Sequence, residues 1–443
     1  MIVDRDSLDI RPVCDALLRR LATRPDAIIE EEENGQPSQV ALEEVGGGIS
    51  VSNELVLHVV EFKTTDPAPS LAGLADKFQN AVRIANEALA AEGCMLLPTG
   101  MHPWMDPFRE HVKLWPHGYG QVYAAFNRIF DCRGHGWSNL QSVHLNLPFA
   151  NDEEFGRLHA AIRFVLPLLP GLAASSPFVE GRATGILDSR MEAYRKNSDR
   201  VPQVRGLIVP EPAYTFDEYD RRIFQPLYKA IAPLDPEGVL QHEWLNARGA
   251  IARFSRGAIE IRVLDVQECP AADLAVVALV VAAVRAIATE HYGPIERFMT
   301  FPTEPLAELL LAAIRDADRA PVRSAEYVSM FAPPRAPTGG GGGGGGGGVA
   351  GGAAGGVAEF SAPGSDHPTM NRLWTVLAAD LAAAGFLSPE DHAAAEKLLR
   401  AGSLARRLVE AETPETPTPT HARLREVYSS IASCLADGRP FLP

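Results

Sequence analysis

Apolar positions recur with two different periods along this chain, and the changes of period locate most of its elements. Val13, Leu17, Leu18 and Leu21 are spaced for a helix over residues 7–24, with Ser7 as its cap. Leu55 to Lys63, rich in β-branched and apolar residues, predicts a strand. Leu71 to Ala91 predicts a long amphipathic helix closed by Gly93, and Met95–Leu97 a short buried strand entering the turn Pro98-Thr99-Gly100. Further on the pattern gives a strand at Ser142–Leu147, a helix at Asp152–Leu166 and an arginine-bearing loop from Ser175 to Arg205. A helix at Phe216–Ala232, a strand at Ala258–Asp265 and a buried helix over 271–290 follow. Long irregular connections between these elements favour an α+β fold over a regular doubly wound one.

Two strands carry a chemical face. In Ala258–Asp265 the period of two puts Ile259, Ile261 and Val263 on one side and Glu260 and Arg262 on the other. In Ser142–Leu147 it separates Val143, Leu145 and Leu147 from Ser142, His144 and Asn146. A curved sheet with a wet, concave side accommodates both. Glu54 and Glu61 are seven apart, so in one regular strand they would face opposite ways. Bringing them together requires a bulge or turn near Glu54. Glu61, Glu260 and His144 have the donor chemistry for Mg²⁺ or Mn²⁺. Arg182, Arg190 and Arg195, then Arg248, Arg253 and Arg256, supply forks suited to carboxylate or phosphate. The run Glu30–Glu33 reads as a solvated charge run or an inserted loop.

Composition narrows the class. The formal charge of -15 over 443 residues excludes a global basic footprint for nucleic acid or anionic lipid. Five scattered cysteines without a C-x-x-C pair argue against zinc ribbons and redox motifs. The longest apolar run, Leu274 to Val284, is too short to span a bilayer, which points to a cytoplasmic protein with no membrane partner. Of 38 glycines, 14 lie between Gly339 and Gly356. The expected organisation is therefore a catalytic unit over 1–332, a Pro/Gly-rich linker or loop over 333–364, and a helical part over 365–443 that packs on the catalytic unit. That last part predicts helices at Met370–Ala384, from Ser388 onward, and along Leu424, Val427, Tyr428, Ile431 and Leu435.

No P-loop, nucleophile elbow or kinase signature is present. Several ordered blocks do resemble one family. Asn139-Leu140-Gln141-Ser142-Val143-His144-Leu145-Asn146 is similar to the histidine strand of the type 2 glutamate–cysteine ligases, or carboxylate–amine ligases. Ala174–Phe178 through Arg190, Gly257–Asp265, Leu97–Trp104 and Glu54–Thr64 resemble further blocks in the right order. The resemblance covers about residues 1–300 and extends to the last helix up to Gly438-Arg439-Pro440-Phe441.

This resemblance implies a glutamine-synthetase-like fold, a curved and mostly antiparallel sheet flanked by helices. It implies ATP and Mg²⁺ (or Mn²⁺) as cofactors and small amino acids as substrates. The expected reaction joins L-glutamate to L-cysteine through an acyl phosphate, as in glutathione-type thiol biosynthesis. Glu54, Glu61, His144 and Glu260 match the metal ligands, and Arg262 the arginine that steadies the transferred phosphoryl group beside Glu260. Arg182, Arg190 and Asn146 are the substrate-binding candidates. Another amine acceptor, a phosphagen-kinase-like transfer and a non-catalytic metabolite-binding role stay open, as does a homodimer. Family members carry a Gly-x-Glu-x-Glu strand ahead of the segment that Met1-Ile2-Val3-Asp4 resembles. The expectation is that Met1 is an internal start of a longer protein.

Overall fold

A computed structural model describes residues 1–43, 48–110, 112–117, 120–332, 367–412 and 420–443. The linker expected over 333–364 lies outside the described residues. The rest is mixed helix and antiparallel sheet. A four-stranded sheet runs in the order β2 (Ala27–Glu33), β3 (Gln36–Leu42), β4 (Ile49–Asn53) and β5 (Val60–Thr64). Strand β1 (Ile2–Asp4) pairs separately with β6 (Cys94–Leu96). A three-stranded sheet places β11 (Ala258–Asp265) between β7 (Ser142–Pro148) and β10 (Ala250–Arg253). A two-residue hairpin joins β8 (Phe178–Val179) to β9 (Arg182–Ala183).

Several elements differ from the pattern-based expectation for identifiable reasons. The first helix is only Cys14–Leu21, because Leu8 takes a left-handed conformation (φ 62°) that ends any helical path through residue 8. Leu55–Lys63 is not one strand. Residues 54–59 form the connection between β4 and β5, and their apolar side chains Val56, Leu57 and Val59 are buried in that turn. Glu30–Glu33 belongs to β2, an edge strand whose charged side chains face water, where acidic groups discourage further pairing. The helix at Phe216–Ala232 is interrupted by a π turn at Asp220–Phe224, just before Pro226, which has no N–H to continue the ladder.

The apolar segment after β11 forms Pro270–Ala288, the one helix among the described residues long and apolar enough to cross a bilayer. Ala275–Val280, Ala282–Val284, Ala286 and Ile287 are buried in the main core. The helices Met370–Ala383 and Pro389–Ala401 add Leu373, Trp374, Leu377, Leu398 and Leu399 to that core. Ser388 caps the second of these through Asp391 N, as its sequence implies. The sequence pattern did not reveal Leu404–Glu412, which precedes the last helix, His421–Asp437. Arg407, on that unforeseen helix, is 4 % exposed and pairs with the equally buried Glu268 at 2.7 Å. Glu268 also accepts from Phe441 N at 3.2 Å, so one carboxylate fastens two C-terminal segments to the residues that follow β11.

Candidate active site

The site lies between β5 and β7, which belong to different sheets and carry Glu61 and His144 near enough to interact electrostatically. On β7 the alternation holds: Val143, Leu145 and Leu147 pack on the main core, while His144 and Asn146 occupy the open face. On β11, Glu260 lies opposite Asn146 and Ile261 opposite Leu145, but the next matched pair is Leu264 with Val143. The extra residue on β11 is a bulge at Arg262 and Val263, facing His144. A bulge of this kind re-aims a side chain beside its neighbour. Here it sets Glu260, His144 and Arg262 together.

Glu260 is the centre of that group. Its Oε2 accepts from Arg253 Nη1 at 3.0 Å. Its Oε1 lies 3.1 Å from Arg262 Nε and 3.4 Å from His144 Nδ1. Burial favours the neutral acid, but Arg262, His144 and Arg253 outweigh it and hold the carboxyl below its usual range. His144 moves the other way. Desolvation, then the Arg262 charge, lower its pKa, and Glu260 and Glu61 oppose this without overcoming it. The ring is therefore neutral near pH 7, with Nε2 at 2.8 Å from Ser142 Oγ.

Glu54 and Glu61 meet through the turn that their spacing demanded. Glu61 on β5 is opposite Ser52 on β4 and accepts from Ser52 Oγ at 3.0 Å, while Lys63 Nζ stands 3.6 Å away. Glu54, at the end of β4, accepts from Leu55 N at 3.3 Å. Burial and then the neighbouring Glu61 charge raise its pKa to about 7. Arg262 and Lys63 act against this rise without cancelling it.

The proposed ligands thus fall into two pairs. Among the described residues no group of three or more His, Cys, Asp or Glu side chains converges on one point. Both oxygens of Glu260 face arginine nitrogens, Oε2 that of Arg253 and Oε1 that of Arg262. The donor set at Glu54 and Glu61 does fit a hard divalent cation. Mg²⁺ commonly takes one or two carboxylates and fills its remaining positions with water and phosphate oxygens.

The arginines divide. Arg182 is exposed on the β8–β9 hairpin, and no contact joins it to Glu260, His144 or Arg262. Arg190 is 1 % exposed and gives its Nε to Asp265, which is fully buried. Asp265 also accepts from Ser175 N, Ser175 Oγ and Ser176 Oγ at 2.9, 3.3 and 2.8 Å. Its guanidinium braces the end of β11 through Asp265. From the sequence, Arg253 is one of several arginines. Its position at the end of a four-residue strand, a short loop before Glu260, was the available signal. Asp265 could be read as the last residue of its strand, but its network depends on Gly100 and Ser175, far away in sequence.

Comparison with known proteins gives the family. Residues 15–327 match glutamate–cysteine ligase family 2. An uncharacterized protein of Archaeoglobus fulgidus is 36 % identical over 270 residues, covering 61 % of this chain and 69 % of that one. A Nocardioides sp. protein provisionally named glutamate–cysteine ligase 2-1 is 28 % identical over 60 % of this chain. A Corynebacterium glutamicum protein provisionally named glutamate–cysteine ligase 2 is 23 % identical over 57 % of it. The matched stretches span 63 % and 58 % of the lengths of these two relatives. With the family match covering most of the chain, including Glu54, Glu61, His144 and the bulged strand, the protein belongs to glutamate–cysteine ligase family 2.

Proposed function

We propose that this protein is an ATP- and Mg²⁺-dependent carboxylate–amine ligase that joins the γ-carboxylate of L-glutamate to L-cysteine. The observation that carries the reading is the bulged strand β11, which sets Arg262 beside Glu260 and near Glu54, with His144 against the same carboxylate. A substrate carboxylate oxygen attacks the γ-phosphorus of ATP, ADP leaves, and an acyl phosphate remains. The amine then attacks the acyl carbon, an amide forms and phosphate departs. Negative charge spreads over the phosphoryl oxygens in the first step, and preorganised cationic donors stabilise it.

Arg262 supplies such a donor, held from one side by Glu260. Arg253 keeps Glu260 in place. His144, neutral near pH 7, can accept a hydrogen bond or proton at Nδ1 or Nε2 according to its tautomer. Glu54 and Glu61 would hold the cation, which would offset phosphate charge when bound. All five cysteines are free thiols, in keeping with a reducing, cytoplasmic setting. The test is an amine screen that follows ADP release with ATP, Mg²⁺ and glutamate present. ADP release that requires cysteine supports the reading. Release that requires a different amine keeps the ligase and replaces its acceptor.

A further inference from the structure

A cavity of about 320 Å³ opens between Phe108, the segment from Phe130 to Trp137 and the end of the helix Ser189–Tyr194. Phe108, Phe130 and Trp137 line it, together with Gly134, Lys196 and Asn197. Phe130 and Trp137 stack on each other, with centroids 5.7 Å apart and ring planes 27° from parallel. Phe108 is 67 % exposed, so a large apolar ring stands uncovered at the cavity edge. Gly134 leaves the space beside that ring open, since a Cβ there would already touch Phe108 Cζ at 3.9 Å. Asn197 adds a polar group. Its Nδ2 donates to Gly136 O at 3.1 Å, and its buried Oδ1 has no hydrogen-bond partner. Buried acceptors nearly always have a donor, so this one favours a ligand that brings an N–H.

Size and chemistry narrow the occupant. The volume is at the small end for ligand pockets, room for one ring system rather than a whole nucleotide. Aromatic walls take the face of a planar ring, and every nucleobase has one. The charges at the rim are already paired, Lys196 with Glu192 at 2.6 Å and Asp131 with Arg133 at 2.9 Å, so a bare ion finds little here. Location completes the argument. Trp137 stands just before β7, the strand of His144, and its Nε1 donates to Asn197 O at 3.2 Å. The helix on the other side carries Arg190, which is held by Asp265 at the end of β11. Ser142 and Asp265 are paired, so both walls are anchored at the same end of the strands that bear His144 and Arg262.

We infer that this cavity receives the planar base of a nucleotide, with Phe108 as its stacking face. Its service to the ATP of the proposed reaction rests on the ligase reading.

The test is calorimetric titration of the full chain, of Phe108→Ala and of Gly134→Val with ADP and, separately, with inorganic tripolyphosphate, each with Mg²⁺, alongside thermal melts without ligand. Gly134 has φ -64° and ψ 162°, a backbone that valine adopts, so this variant narrows the cavity without backbone strain. The expected result is ADP affinity roughly ten-fold or more weaker in both variants. Tripolyphosphate affinity should match the parent, as should the melting temperature of Phe108→Ala, whose ring is exposed. Parent-like ADP affinity in either variant, equal losses for ADP and tripolyphosphate, or no binding of ADP by the parent would overturn the inference. If no ATP-dependent amide forms while Phe108→Ala still loses ADP affinity, only the ligase reading fails. If amide forms and Phe108→Ala keeps the parent's KM for ATP, only the base subsite fails.

Discussion

Arg253 Nη1 donates to Glu260 Oε2 at 3.0 Å, while Arg253 Nε contacts Glu243 Oε1 at 3.2 Å. One planar guanidinium thus ties the strand that carries the reactive face to the loop preceding β10. Arg253 and Glu260 are 14 % and 8 % exposed at their side chains, so water screens the pair only modestly. Replacing Arg253 with alanine should lower stability by about 1–2 kcal/mol, read as a shift in urea midpoint. Arg253→Lys should recover only part of this, since an ammonium cannot make two divergent, planar contacts. Full recovery by lysine would show that charge alone matters.

The Arg190–Asp265 pair is more costly to break. Both side chains are at most 1 % exposed. Removing Asp265 leaves the buried Arg190 charge with only the Asp188 carboxyl near it, and breaking a buried pair of this kind costs about 3–5 kcal/mol. Asp265→Ala is expected to lose that amount in urea unfolding, and a loss under 1 kcal/mol would assign the brace to the serine hydroxyls instead.

Gly100 gives this network its room. A Cβ at residue 100 would stand 2.4 Å from the Asp265 carboxyl carbon, and Gly100 N donates to Ser175 Oγ at 2.8 Å. Gly100→Ala must therefore displace Asp265, and overpacking of this kind costs about 1–3 kcal/mol. The same variant should weaken ATP-dependent turnover, because Asp265 ends the strand that bears Arg262. Parent-like melting and turnover together would contradict this placement.

Acid sensitivity follows from three buried histidines. His58 and His102 are pushed down to about 4 and His159 to about 3, in each case chiefly by burial. His102 Nε2 lies 2.8 Å from Leu8 O while its Nδ1 accepts from Met105 N at 3.0 Å, a pattern that specifies the neutral ring. The unfolded chain binds these protons near pH 6.5 and the folded chain does not. Their contribution is therefore complete above about pH 6.5 and is lost as pH falls toward 4, by up to about 1.4 kcal/mol per pH unit for each ring. Urea midpoints measured from pH 7.5 to 5 should fall. A flat series would mean that the rings are accessible to protons.

Much of this was legible in the sequence wherever periodicity is local. The alternation of His144 and Asn146 with Leu145 and Leu147 is a property of one strand, and the requirement for a turn between Glu54 and Glu61 is simple parity. What escaped depends on distant segments. The bulge at Arg262 is defined only against β7, and the partner of Arg190 is settled by Gly100 and Ser175 rather than by its own helix. Leu8 needed a left-handed backbone that hydrophobic spacing does not signal. The contact of Arg253 with Glu260 has the same origin, since Arg253 reaches it from a neighbouring strand.

The central claim is acyl-phosphate chemistry on a substrate carboxylate, and isotope transfer tests it directly. L-glutamate carrying ¹⁸O in its γ-carboxylate is incubated with the full chain, ATP, Mg²⁺ and cysteine, and the phosphate released is analysed by mass spectrometry. One ¹⁸O atom per phosphate, with amide product in equal amount, is the expected result. Phosphate released without label would mean that water, not the carboxylate, attacks ATP, and would contradict the ligase assignment.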